Sequence, residues 1–305
     1  MATPFGISIP QTFTSKTVDV GLIRDFSMRA ESLGYESLWV QEQIISAAAI
    51  LEPIALLTYV AAITSKVKLG TAVLLTVVRN PVQLAKSLAT LDQLSHGRLI
   101  VGVGIGGPTT PHAIVGIPSE RRPRRFIEGL KVMKALWSEP RATVKGEFWN
   151  FENVPMEPKP VQQPNPPIWF GARDEIGLKR AVRYGDGWMG PGSSSIGEFT
   201  KHMDIIRRLL DEAKRDPATF AISKRVYIAV DNDRARAERR LREWFGARYQ
   251  NADMAPKVSV WGSKAECAEK LREIVRLGAQ HLMLDPVFDQ NEHLELLARD
   301  VMPGV

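Results

Sequence analysis

Four glycines crowd one short run, Gly102-Val-Gly104-Ile-Gly106-Gly107. That spacing fits G-x-G-x-x-G, the pattern that brings backbone close to a dinucleotide pyrophosphate at a helix N-terminus. Such a site needs a helix opening directly from the loop and an acid ending the next strand roughly 20 residues on. Here Pro108 and Pro111 follow instead, and the nearest acid, Glu120, begins a predicted helix. The glycines are therefore close-approach positions at the C-terminal end of a strand, where a flat ligand or a second backbone comes near.

Other reactive constellations are few. No G-x-S-x-G elbow occurs, which removes the commonest serine hydrolase arrangement. The five histidines, His96, His112, His202, His281 and His293, show neither H-x-H nor H-x-x-x-H spacing, so no metal site is expected. His112 is kept as a candidate because it follows the glycine run. A single cysteine, Cys267, excludes an intrachain disulfide and any cysteine-cluster metal site. Arg121, Arg122, Arg124 and Arg125 form a basic cluster that reads as a solvated helix face with local ion pairs. The arginines from Arg234 to Glu243 are balanced by Asp231, Asp233, Glu238 and Glu243, as on a salt-laced surface helix. Lys and Arg exceed Asp and Glu by 40 to 34. That modest excess implies no nucleic-acid partner without a supporting motif.

The elements that must position these residues alternate. Strands are predicted at Phe5–Ile9, Ser37–Val40, Lys68–Leu74, Leu99–Ile105, Ile168–Phe170, Gly187–Met189, Phe220–Val230 and His281–Leu284. Helices fall between them: about Val18–Leu33 ended by Gly34, Pro53–Thr64, a helix opened by Asn80-Pro81, and Glu120–Trp137. Further helices follow at Ile176–Tyr184, Ile196–Lys214, Ala235–Phe245, Ala265–Leu277 and Glu292–Val301, with Ser263-x-x-Glu266 as a capping box. Residues 140–166 interrupt the rhythm with a hairpin around Lys145-Gly146 and a Pro-rich stretch. Eight strand–helix units predict a (β/α)8 TIM barrel with insertion segments, a single domain over 305 residues. A doubly wound open sheet is the competing arrangement. The N-terminal residues lack a basic n-region and an apolar h-region, and the best apolar run, Leu69 to Val78, stops at Arg79. A cytoplasmic protein with no membrane partner is expected.

Several segments, in order along nearly the whole chain, resemble the bacterial luciferase-like monooxygenase superfamily. They include Glu31-Ser-Leu-Gly-Tyr-Glu-Ser-Leu-Trp-Val40, Val67-Lys-Leu-Gly-Thr-Ala-Val73, Arg79-Asn-Pro-Val-Gln-Leu-Ala-Lys86 and Leu91-Asp-Gln-Leu-Ser-His-Gly-Arg-Leu99. Pro158-Lys-Pro-Val-Gln162, Pro167-Ile-Trp-Phe-Gly171 and Gly185-Asp-Gly-Trp188 continue the match. Within the superfamily the chain looks most like oxidoreductases that use the deazaflavin F420. The flavin branch shares most of the same motifs, so FMN is the alternative cofactor.

The resemblance implies a redox ring held at the C-terminal ends of the strands, backed by a non-proline cis peptide at Ala72-Val73. It places Gly104, Gly106, Gly107 and Thr110 beside that ring, and the cofactor phosphate at Gly171-Ala172-Arg173, where a helix N-terminus favours an anion. After the second strand, family dehydrogenases carry an acid and a histidine. This chain has Glu42-Gln43, and glutamine does not exchange a proton near neutral pH. Hydride delivery to an unsaturated or carbonyl acceptor is therefore favoured over alcohol oxidation. The candidate catalytic residues are Gln43, Glu42 and His112. The acid and the lysine that serve glucose 6-phosphate in the family are missing, at Gly107 and in Gly190–Ser195, so that substrate is not expected. A flavin-dependent monooxygenase taking externally reduced FMN and O2, or a catalytically silent ligand-binding barrel, are the other readings. Family members are commonly homodimers, which is the assembly implied.

Overall fold

The computed structural model describes residues 3–107, 110 and 112–305. Eight strands carry the sheet: β1 (Phe5–Ser8), β2 (Ser37–Val40), β3 (Lys68–Thr71), β4 (Leu99–Gly104), β5 (Ile168–Gly171), β6 (Gly187–Gly190), β7 (Ala221–Val230) and β8 (His281–Pro286). Their hydrogen-bonded order is β5-β6-β7-β8-β1-β2-β3-β4, and β5 also pairs with β4, so the parallel sheet closes on itself as a (β/α)8 barrel. An open doubly wound sheet would leave that last pairing unmade.

Contacts group the chain into two compact units. The first comprises Met1–Pro10, Val20–Trp39 and Trp169–Val305. It carries helices α1 (Val20–Ser32), α5 (Glu175–Tyr184), α6 (Ile196–Glu212), α7 (Arg234–Tyr249), α8 (Lys264–Arg276) and α9 (Gln290–Leu296). The second comprises Gln11–Asp19 and Val40–Ile168, with α2 (Pro53–Ile63), α3 (Pro81–Leu94) and α4 (Arg122–Ser138).

Local chemistry explains the boundaries. Asn80 accepts from the Val82 and Gln83 N–H groups at the start of α3, with Pro81 at the first helical position. Ser263 and Glu266 form the expected capping box on α8, and Ser195 with Glu198 forms a second one on α6. Beyond α1, Gly34 takes φ +85°, a left-handed turn that glycine adopts without steric cost. Residues 142–154 form the expected hairpin, Ala142–Lys145 against Asn150–Val154.

Within the first unit, Ile7, Leu38, Trp39, Phe199, Phe220 and Tyr227 are almost fully buried. Trp39 stacks on Trp169 and Trp188 on Phe199, with ring centroids 5.5 and 5.6 Å apart, so both are packing residues. In the second unit, Gln162 spans Asp92 and the Leu99 carbonyl at 2.7 and 2.8 Å, tying the Pro-rich stretch to α3 and β4. Arg98 donates to four acceptors across Ala61, Thr64 and Val67 at 2.9–3.0 Å. Much of what carries the resemblance, Trp39, Arg98, Gln162 and Trp188 among it, is therefore scaffold. At the start of α4, Arg121 and Arg124 reach Glu147 of the hairpin and Arg125 lies over the Phe148 and Trp149 rings, while Arg236 of α7 pairs with Asp231.

Candidate functional site

In the second unit, β3 stops at Thr71, three residues before the expected end. The Ala72 N–H turns to the Val40 carbonyl at 2.7 Å, which takes the chain out of the strand. The Ala72–Val73 peptide is cis, as the resemblance implies. Pairing with β4 resumes at Leu74–Leu75, opposite Val103 and Gly104. Thr71 Oγ1 donates to the Gly102 carbonyl at 2.8 Å, and a Cβ on Gly102 would overlap the Thr71 carbonyl. That glycine is required by backbone approach. Gly106, at φ +80°, lies where a Cβ would run into the Thr110 side chain, whereas Gly107 faces open space. The Thr110 N–H returns to the Gly107 carbonyl at 3.1 Å, and the His112 N–H to the Thr110 carbonyl at 2.8 Å.

Glu42 is committed elsewhere than to a reacting group. Its side chain is fully buried and accepts from Arg79 Nε at 2.8 Å, from Arg79 Nη2 and from the Leu75 N–H. Arg79 also reaches Glu52 at 2.7 Å, and Glu52 caps α2 through the Ala55 N–H. Burial alone would lower the Arg79 pKa, but the carboxylates of Glu42 and Glu52 hold it above its ordinary value. The pair braces the turn after β3. Gln43, next along, is half-buried.

His112 is the exception among the titratable groups of this region. It is buried, and neither ring nitrogen has a hydrogen-bond partner among the described residues. Burial, with Arg122 nearby, pushes its pKa below the ordinary histidine value, so the imidazole is neutral at pH 7. A buried unpaired polar group is costly, and its retention points to a missing partner.

In the first unit, Gly171, Ala172 and Arg173 follow β5. Trp188 donates to the Ala172 carbonyl at 3.0 Å, and the His202 ring bonds the Arg173 carbonyl at 2.8 Å. The Arg173 guanidinium donates to Ser193 Oγ. Asp174 caps α5 by accepting from the Gly177 N–H at 2.7 Å, so a carboxylate already sits at the helix N-terminus predicted to receive phosphate. Arg173 then carries the cationic part of any anion contact here.

Two charged groups of β7 escaped the sequence reading. Lys224 is buried and donates to the Pro191 carbonyl, the Ser194 carbonyl at 3.0 Å and Ser194 Oγ at 2.8 Å. Burial, then the charges of Arg173 and Arg225, pull its pKa down to about 7. Arg225, one residue on, donates from Nε to Asp285 at 2.9 Å and lies 4.8 Å over the Tyr227 ring. The signal was present: adjacent cations inside a ten-residue strand that is otherwise apolar. No cluster of metal-ligating side chains occurs among the described residues, and no helix among them is long and apolar enough to cross a membrane.

Comparison with known proteins now adds to this geometry. An uncharacterized protein of Mycobacterium tuberculosis is 44% identical over 140 residues, so this chain matches about half of that relative, 49% of its length, through 46% of its own. An F420-dependent glucose-6-phosphate dehydrogenase of Kineococcus radiotolerans is 29% identical over 316 residues, covering 93% of this chain and 92% of the relative. A solved F420-dependent secondary alcohol dehydrogenase, in complex with an F420-acetone adduct, superposes with a TM-score of 0.87 at 23% identity, covering 100% of this chain and 99% of that one. At that identity the likeness speaks to the fold. The family model described as luciferase-like monooxygenase matches residues 3–281, and the chain belongs to that family of oxidoreductases.

Proposed function

We propose that the protein is an F420-dependent oxidoreductase working in the reductive direction on a small unsaturated or carbonyl compound. Similarity to F420-dependent glucose-6-phosphate dehydrogenases over more than nine-tenths of the chain supports the cofactor. The commitment of Glu42 to Arg79 and the Leu75 N–H carries the direction. With Glu42 so engaged and Gln43 unable to titrate, no carboxylate–base pair follows β2 to take a proton from an alcohol.

The residues fit a planar, phosphate-bearing group in three respects. In the second unit Gly107 has open space beside its Cα and the His112 ring has no partner among the described residues; in the first unit, taken by itself, Arg173 holds a guanidinium beside Ser193 after β5. When bound, F420 supplies or accepts a hydride at C5 of its deazaflavin. Ala72, Val73, Gly104, Gly106, Gly107 and Thr110 would line the ring, and Gly171, Ala172 and Arg173 would hold the phosphate. Gln43 donates a hydrogen bond to a carbonyl oxygen, neutral His112 offers an N–H to the same oxygen as it gains negative charge, and the proton that completes the reduction comes from solvent. The lysine that binds substrate phosphate in the family is missing from Gly190–Ser195, and Arg225 is bonded to Asp285, both of which argue against a sugar phosphate.

Anaerobic assays test this reading. Reduced F420 is mixed with cyclic enones and ketones, and oxidised F420 with secondary alcohols, while the oxidised chromophore is followed. Faster turnover with the enones or ketones is expected. Faster oxidation of the alcohols would overturn the assigned direction.

A further inference from the structure

Residues 191–194 form a turn between β6 and α6, closed by the Ser194 N–H and hydroxyl, which both donate to the Pro191 carbonyl, at 3.1 and 2.7 Å. β7 holds this turn from two sides. Side chains alternate along a strand, so Arg225 and Tyr227 share one face and Lys224 lies on the other. On the first side, Gly192 sits so close that a Cβ there would meet the Tyr227 ring at 2.8 Å and Arg225 at 3.3 Å. On the second, the Lys224 ammonium donates to the Pro191 carbonyl, to the Ser194 carbonyl at 3.0 Å and to Ser194 Oγ at 2.8 Å. An ammonium has three N–H donors and no acceptor, so every donor of Lys224 is committed to the turn.

Between these anchors stands Ser193, whose Oγ accepts from the Arg173 guanidinium. The His202 ring of α6 bonds the Arg173 carbonyl at 2.8 Å, so the backbone of Arg173 is fixed from the helix and its side chain from the turn. A turn that shifts therefore shifts the guanidinium. Lys224 is only 3% exposed, and burying an ammonium is costly. A methionine would fill the same space with no charge to desolvate. What the ammonium adds is its three bonds to the turn.

We propose that Lys224 is a positioning residue of the cofactor site: by holding residues 191–194 it sets Ser193, and through Ser193 the Arg173 guanidinium that meets the cofactor phosphate. The inference rests on the reading of Arg173 given above. Charge near Lys224 comes from Arg173, Arg225, His202, Lys257 and Lys270, opposed by Glu198, and the Phe199 ring lies 5.9 Å away. Burial, then Arg173 and Arg225, bring the Lys224 pKa down to about 7. As the pH rises through that value, the neutral amine keeps two donors for three acceptors, and the turn loses a bond. The anion's side gives the same sign. A phosphate bound at Arg173 favours the charged form of Lys224 and raises its pKa, so binding takes up a proton and affinity falls as the pH rises.

Dissociation constants for F420, and separately for FMN, measured at pH 6 and pH 8.5 in the unaltered protein and in Lys224→Met, test this role. The ratio of variant to unaltered constant cancels any titration of the cofactor itself. It is expected to be about tenfold at pH 6 and about twofold at pH 8.5. The same ratio at both values is what a merely structural residue would give, and it would overturn the positioning role while leaving the cofactor reading intact. Binding of neither cofactor by the unaltered protein would instead overturn the cofactor reading, and the positioning role with it. A second measurement needs no variant. Hydrogen exchange at the Ser194 amide of the unaltered protein, corrected for the intrinsic rate, should be about tenfold less protected at pH 8.5 than at pH 6. Equal protection at the two values would contradict the hold of Lys224 on the turn, whichever cofactor binds.

Discussion

Two buried histidines stand in opposite conditions. His281 on β8 has both ring nitrogens engaged, Nε2 with Ser37 Oγ at 2.9 Å and Nδ1 with Ser223 Oγ at 2.7 Å. Trp39 Nε1 donates to the same Ser37 hydroxyl at 2.8 Å, closing a polar network inside packed aromatics. His112, after β4, is as buried and has neither nitrogen satisfied among the described residues. The contrast teaches that burial alone does not separate scaffold from site. What separates them is whether the fold itself completes the hydrogen bonds, since an unfinished group costs stability unless something else uses it.

Glu42 sets the upper end of that scale. Glu42→Ala removes a fully buried carboxylate, leaves the Leu75 N–H unpaired and leaves Arg79 with Glu52 alone, so urea unfolding should show a loss of about 3–4 kcal/mol. A loss below about 1 kcal/mol would mean the pair is not the brace described here. Next comes His281→Phe, which leaves the Ser37 and Ser223 hydroxyls without their partner and should cost about 2–4 kcal/mol. The mirror substitution, His112→Phe, removes an unsatisfied polar ring and should hold or raise stability by about 1 kcal/mol. Its turnover should nonetheless fall about 100-fold if the ring N–H stabilises the charge on the acceptor oxygen. Equal stability losses in the two histidine variants would erase the distinction.

The smallest effect is on pH dependence. Burial lowers the pKa of His112 in the folded state, and the unfolded side chain titrates near 6.5. The unfolded chain thus binds the proton first on acidification. The stability this group contributes is complete above about pH 6.5 and is lost as pH falls toward the folded value. His202 and His293 are displaced in the same direction by burial, so the unaltered protein should lose stability on acidification, and His112→Phe should remove part of that slope. An unchanged slope in the variant would show that His112 is not shielded from water.

Most of the fold was legible because its signals are local. Asn80-Pro81, Gly34 and Ser263-x-x-Glu266 each mark a helix end within a few residues, and the apolar runs of the strands are separated by helical spacing. The break in the third strand was legible only through the resemblance, since the run from Leu69 to Leu75 carries no stop signal of its own. It is set by the Ala72 N–H turning to Val40, a contact made only after the strands assemble. The role of Glu42 was hidden for the same reason, its partner Arg79 lying 37 residues on. Ser195 and Glu198 carry the same capping spacing as Ser263 and Glu266, so the second box could have been read from the sequence. The roles of Lys224 and Arg225 were hidden because the groups that hold them, Pro191, Ser194 and Asp285, lie 30 or more residues away along the chain.

Fluorescence titration of the purified protein with F420 and, separately, with FMN tests the central claim most directly. Submicromolar binding of F420 with much weaker binding of FMN is the predicted result. Tight FMN binding with none of F420, or no binding of either, would contradict it.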